Sequence, residues 1–311
     1  MNEKPSKFRW QDHPWIILAV VVAMPLVVWG VFHPEFRPDA HSVDPTIRRA
    51  LEKTGFSQTT GVSAVRRENA YTMGNDSWSM TIDEKIVSID GPITEKRSWR
   101  RGGGPSQQTA GLYVGPITVV HYYRNRLPLI GDLLPFQFWS SRRLTKFELE
   151  EIERFPNVKG GKMRARVTYE ERYAGGKLAE RENRRLRCDV TRVVDAASVH
   201  EGLSGSAARI DCQAKVEPNG RQLGLTNPET VFVDQIVSSH WYVLNQGWSI
   251  PVEGEAVYEL SGAAYQANEV MFQSKDPVVR SDMPNQTLTR AWKSRLVSFE
   301  STRNNLQDSL R

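Results

Sequence analysis

The sequence predicts an α+β fold, predominantly antiparallel β, preceded by one N-terminal transmembrane helix. Three observations carry this. Met163, Ala165, Val167, Tyr169 and Tyr173 alternate with Arg164, Arg166, Thr168, Glu170 and Arg172, the period of two of a strand with one wet face. Ala208, Ile210, Cys212, Ala214 and Val216 repeat the pattern against Arg209, Asp211, Gln213 and Lys215. Near the N-terminus, Trp15–Phe32 carries no charged residue and is long enough to cross a bilayer as a helix that satisfies its own backbone.

Along the chain, a tail (1–14) carrying Lys4, Lys7 and Arg9 precedes the span (15–32), with Trp15 and Trp29 suited to its two interfaces. A cleaved signal peptide competes with this reading. Its best site follows Ala23, but the apolar run continues past it, which favours an uncleaved anchor. A stalk and short helix (33–60) follow. Asp44 is an N-cap, Pro45 fits the first helical position, and Gly55 ends the helix. A β-rich exported domain (61–283) comes next, divisible into lobes 61–156 and 157–283.

Within that domain, strands are expected at Ser77–Ile82 and Lys85–Ile89, separated by a charged turn, and at Tyr113–Tyr123. Leu144–Phe155 reads as a helix, with Leu144, Phe147, Ile152 and Phe155 on one side. Met163–Tyr173 turns at Gly175–Gly176 into a return strand bearing Leu186, Cys188 and Val190. Pro218–Asn219–Gly220 closes the third strand. Further strands are expected at Thr230–Val233, Ser239–Leu244 and Ala256–Leu260. A C-terminal amphipathic helix (284–311) completes the chain, its stripe formed by Leu288, Trp292, Leu296, Phe299, Leu306 and Leu310.

Composition limits function. The 311 residues are 39% hydrophobic, enough for a core, and the net charge of +5 is a mild excess on a heavily charged chain. It favours anionic partners without the footprint of a nucleic-acid binder, so no nucleic acid is expected. A mean hydropathy of −0.49 argues against a polytopic membrane protein.

Cys188 and Cys212 both fall on inward faces of separate strands. They form a disulfide if the strands are neighbours, and are otherwise two buried thiols. No pair of histidines or cysteines has metal-ligand spacing, so neither a metal nor a cofactor is expected. His200–Glu201 lacks the second His of a zinc protease, with Ser204 in its place. Gly202–Ser206 lacks the last Gly of a nucleophile elbow. No catalytic motif emerges, and a non-enzymatic role is favoured.

Two surfaces stand out. Arg164, Arg166, Arg172 and Arg187 form a candidate anionic-surface contact, set against a solvated face paired with nearby glutamates. Leu129, Ile130, Leu133, Leu134, Phe136, Phe138 and Trp139 form a candidate apolar partner patch, interrupted by prolines and a glycine.

The expectation is a single-pass protein of the cell inner membrane, tethered through 15–32, with its C-terminal domain in the periplasm. It would act as an envelope interaction or scaffold protein whose β-rich domain binds a protein, lipid or polymer partner. Self-association through the C-terminal helix is a further expectation. The alternative is an envelope-acting hydrolase without a recognisable motif.

Overall fold

A computed structural model describes residues 43–60, 62–101, 108–128, 135–172, 178–223, 231–260 and 286–300. The chain divides into two units. Of the smaller, only the strand segments 126–128 and 135–138 are described; the larger is Pro38–Asn125 with Trp139–Arg311.

The described residues are nearly all β. One helix, α1 (Pro45–Glu52), precedes twelve strands. These are β1 (Ala64–Met73), β2 (Asp76–Asp90), β3 (Ile93–Arg101), β4 (Gln108–Val114), β5 (Ile117–Pro128) and β6 (Pro135–Glu153). There follow β7 (Lys162–Arg172), β8 (Leu178–Asp195), β9 (Ser206–Leu223), β10 (Val231–Val243), β11 (Trp248–Leu260) and β12 (Gln286–Glu300). Each strand pairs with its sequence neighbours, and β12 returns to β1, so the sheet is a closed barrel. Closure leaves no sheet edge.

The α+β expectation is therefore corrected to an all-β barrel. No helix among the described residues is long and apolar enough to cross a membrane, and Trp15–Phe32 lies outside them. Gln286–Glu300, expected as helix, is strand β12. Leu288, Trp292 and Leu296 are four apart, a spacing that keeps one side of a strand as well as one side of a helix. The helical stripe proposed for self-association therefore does not form over these residues. Leu144–Phe155 is likewise strand through Glu153, as the end of β6. A register shift between Leu144 and Lys146 inserts one residue, which brings Leu144 and Phe147 to the same face and imitates a helical step of three. Asp83–Glu84, expected as a turn, is the middle of one long strand, β2. Pro218–Gly220 does not end β9, which continues to Leu223 with Asn219 at φ +58°. The Gly175–Gly176 turn lies outside the described residues.

One barrel end is sealed. Asp44 caps α1 by accepting from the Thr46 N–H at 2.7 Å, and Pro45 opens the helix. Ile47 and Leu51 are buried in a cluster with Phe56, Ile93, Leu112, Val114, Phe155 and Tyr242. Phe56 meets Phe155 and Tyr242 edge-on, at centroid distances of 5.3 and 4.9 Å. Gly115, at φ +55°, turns β4 into β5 beneath this ring, and a Cβ there would lie 2.6 Å from Phe56. A second cluster at the same end includes Val65, Ile86, Val243, Trp248 and Ile250.

Candidate functional site

Beyond the sealed end the inward faces turn polar, and the lumen is the candidate site. In β1, Val65 belongs to the apolar end, while Arg67, Asn69 and Tyr71 follow in the same phase. Arg67 grips Glu84 of β2 with two hydrogen bonds, Nη2 to Oε1 at 2.7 Å and Nε to Oε2 at 3.2 Å. Both residues are buried. Arg67 Nη1 donates to Ser294 Oγ at 3.0 Å, Ser98 Oγ donates to Glu84 Oε1 at 3.1 Å, and Asn69 Nδ2 donates to Tyr71 OH at 2.9 Å. A buried ion pair is costly unless its remaining donors and acceptors are met, which these neighbours do.

Lys96 of β3 lies 5.2 Å from the Tyr113 ring centroid and donates to the Ser249 carbonyl at 3.4 Å. Burial pushes the Lys96 ammonium below its ordinary range, with Glu84 working against the shift. Burial also penalises the Glu84 carboxylate, but Arg67 and Lys96 outweigh it and hold that carboxyl below its usual value. Burial and the Glu84 charge both push the Tyr113 phenol up.

His240 of β10 sits between two serines. Its Nε2 is 3.1 Å from Ser238 Oγ and its Nδ1 is 3.3 Å from Ser249 Oγ. Burial first, then the Lys96 and Arg67 charges, push it down to about 3. The ring is neutral at physiological pH. A Ser–His pair invites a hydrolase reading, but a hydrolytic base needs a pKa near the working pH and a partner that orients it. His240 has serines on both nitrogens and is far too weak a base.

Across the barrel, Glu182 of β8 accepts from Arg184 Nε at 2.7 Å through Oε1 and from Arg184 Nη2 at 2.8 Å through Oε2. Arg142 of β6 donates to the same carboxylate and stacks 4.6 Å above the Tyr169 ring. Arg184 is 1% exposed, the most buried charge among the described residues.

Two neighbouring spaces lie among these clusters. One of about 450 Å³ is lined by Arg67, Glu84, Tyr113, His240, Arg290 and Trp292, among others. The Arg290 guanidinium stacks over Tyr71 at 4.6 Å and Trp78 at 5.4 Å. The other, of about 250 Å³, lies against Arg184, Arg142, Tyr169, Leu186 and the Cys188–Cys212 bridge. His121 and Ile236 line both.

Cys188 and Cys212 face each other on β8 and β9 and form a disulfide. The candidate arginines are on the outer face. Arg164 bonds Asp189 at 2.6 Å, Arg166 bonds Glu150 at 2.8 Å, and Arg172 bonds Glu170 at 2.7 Å. Arg187 is exposed and lies opposite Arg164 in the sheet register. This is a face of interleaved charges, not a bare cationic patch. The same interleaving means that β7–β9 lack the outward apolar band of a membrane-spanning barrel. Leu129, Ile130, Leu133 and Leu134 lie outside the described residues. Phe136, Phe138 and Trp139 belong to β6, with side chains outside the described set. Among the described residues no group of His, Cys, Asp or Glu is arranged to hold a metal.

The luminal charges had a readable signal. Extending the phase of Val190, Cys188 and Leu186 backwards reaches Arg184 and Glu182, and Glu84 sits in phase between Ile82 and Ile86. A charge on an apolar phase marks a polar interior. The fold and site define a closed antiparallel barrel with a charged lumen and one sealed end. No family model, curated protein or solved structure matches the chain.

Proposed function

We propose that this chain is an envelope binding protein whose barrel takes a lipid-like ligand into its lumen. Among protein, lipid and polymer partners, the geometry favours the lipid. The observation that carries this is the cavity of about 450 Å³, walled by Tyr71, Tyr113, Tyr258, Trp292 and Ile236 and edged by a few placed charges. Small-molecule sites combine apolar walls, convergent polar groups and volumes of roughly 300–1,000 Å³. The apolar seal around Leu51 makes the lumen a dead end, which argues against threading a polymer through it. The disulfide suits an oxidising compartment, and the uncharged Trp15–Phe32 run supports a setting at the periplasmic face of the inner membrane.

The test is equilibrium binding of a fluorescent long-chain amphiphile to the purified protein and to Ala256→Phe, which adds a ring at a buried, cavity-lining position. Saturable binding that weakens about tenfold or more in the variant supports the reading, the change expected when a bulky group occupies a ligand's space. Equal binding by both proteins, or by neither, overturns it.

A further inference from the structure

On the β6–β8 wall two guanidinium groups meet one carboxylate, with the Glu180 and Asp234 charges also acting on Arg184. Glu182 is shared by two guanidinium groups, Arg142 and Arg184, and both line the smaller space beside the disulfide. Arg184 spends Nε and Nη2 on Glu182 and gives a further Nη2 hydrogen bond to the Val233 carbonyl at 2.5 Å. Its Nη1 is buried with no hydrogen-bond partner among the described residues. An unmet donor on a buried guanidinium costs more than an ordinary hydrogen bond contributes, because the group has left water without replacement. Tyr169 offers no competing donor, since its hydroxyl already donates to the Thr118 carbonyl at 3.1 Å.

We infer that the lumen is selective for acids: a ligand's oxyanion head, carboxylate or phosphate, lodges against Arg184 and Arg142, while its apolar tail lies in the larger aromatic chamber. The inference rests on the luminal-binding reading and adds the chemistry of the head. One anion would occupy the Arg184 donor that Glu182 leaves over. Guanidinium is the side chain best matched to carboxylate and phosphate, through its planar fork of donors. His121 and Ile236 line both spaces, which sets them side by side, as a single molecule with head and tail requires. At the opposite wall Arg67 is already matched by Glu84, and each of its nitrogens has a partner.

The experiment is a head-group series on the wild-type protein by titration calorimetry, with one C18 chain throughout: oleic acid, oleyl phosphate, oleyl alcohol and oleylamine. At least one acid is expected to bind about tenfold to a hundredfold tighter than the alcohol, the range for a charge-assisted contact in a dry site, with the amine weakest. Whichever acid binds tighter identifies the head, carboxylate or phosphate. In Arg184→Met the acid advantage should vanish while alcohol affinity stays the same. Arg185→Met, on the exposed outer face, should keep the advantage. If alcohol and acids bind equally to the wild type, the head site is wrong and the luminal reading survives. If no member binds, the luminal reading itself falls. The wild-type series decides the matter even if Arg184→Met does not fold.

Discussion

His240 should make the barrel acid-sensitive in a defined window. Folded, its pKa lies at about 3, against an ordinary value of 6.5. Between these values the unfolded chain carries a proton on this ring and the folded chain does not. The unfolded state therefore binds more protons, and stability falls as pH drops from 6.5 towards 3. Linkage gives a loss of about 2 kcal/mol by pH 5 and about 3 kcal/mol by pH 4, as upper values for a ring lining a cavity. His240→Gln keeps a donor and an acceptor for Ser238 and Ser249 but cannot titrate. Urea unfolding followed by tryptophan fluorescence at pH 7.5, 6, 5 and 4 gives the curves for both proteins. Carboxylates contribute to both, so the difference between the curves isolates His240. Wild type should lose stability on the variant steadily below pH 6.5. Parallel curves would refute the claim that the ring is buried neutral between Lys96, Arg67 and the two serines.

Other outcomes follow from the same structure. Leu51→Ala should lower unfolding stability by about 2–5 kcal/mol, because it removes a fully buried side chain from the seal, and denaturant titration reads it. Glu84→Leu should destabilise more than Arg67→Met, since losing the carboxylate leaves Arg67 and Lys96 facing each other, whereas losing Arg67 leaves Glu84 with Lys96. Single changes at such a pair cost roughly 3–5 kcal/mol, and a double-mutant cycle should show the double variant losing much less than the sum of the two single losses. Replacing both Cys188 and Cys212 by Ala should cost about 3.5 kcal/mol, the loop-closure value for a separation of 24 positions. Thiol labelling of the untreated native protein should find neither cysteine.

The parts of the fold legible in the sequence were those where one strand face is wet and the other dry. Met163–Arg172 and Ala208–Val216 announce their period directly, and the facing of Cys188 and Cys212 followed from it. The capped helix after Asp44 was also readable, because capping is local chemistry. Two kinds of segment misled. In β6 a bulge changes the phase, so a strand counts like a helix. In β12 inward positions hold Arg290 and Ser294 as well as Leu288 and Trp292, so only every second inward residue is apolar, and the remainder repeats every four. The second arises because a barrel wide enough to hold a lumen does not require an apolar interior along its whole length. The same fact hid the site. Taken singly, Arg67, Glu84, Lys96 and Arg184 read as solvated charges; only the apolar phase flanking Glu84 and Arg184 marks those two as inward.

The meeting of β1 with β12 has a bearing on biogenesis. Arg67 and Ser294 touch across that seam although 227 positions separate them. During synthesis the first strand emerges long before its final neighbour exists, and a growing partial sheet carries two unsatisfied borders. Closure waits for the last strand to leave the ribosome or translocation pore. A holding chaperone would have its longest task here, and a stop codon before Gln286 would release an open, self-adhesive sheet instead of a shortened barrel.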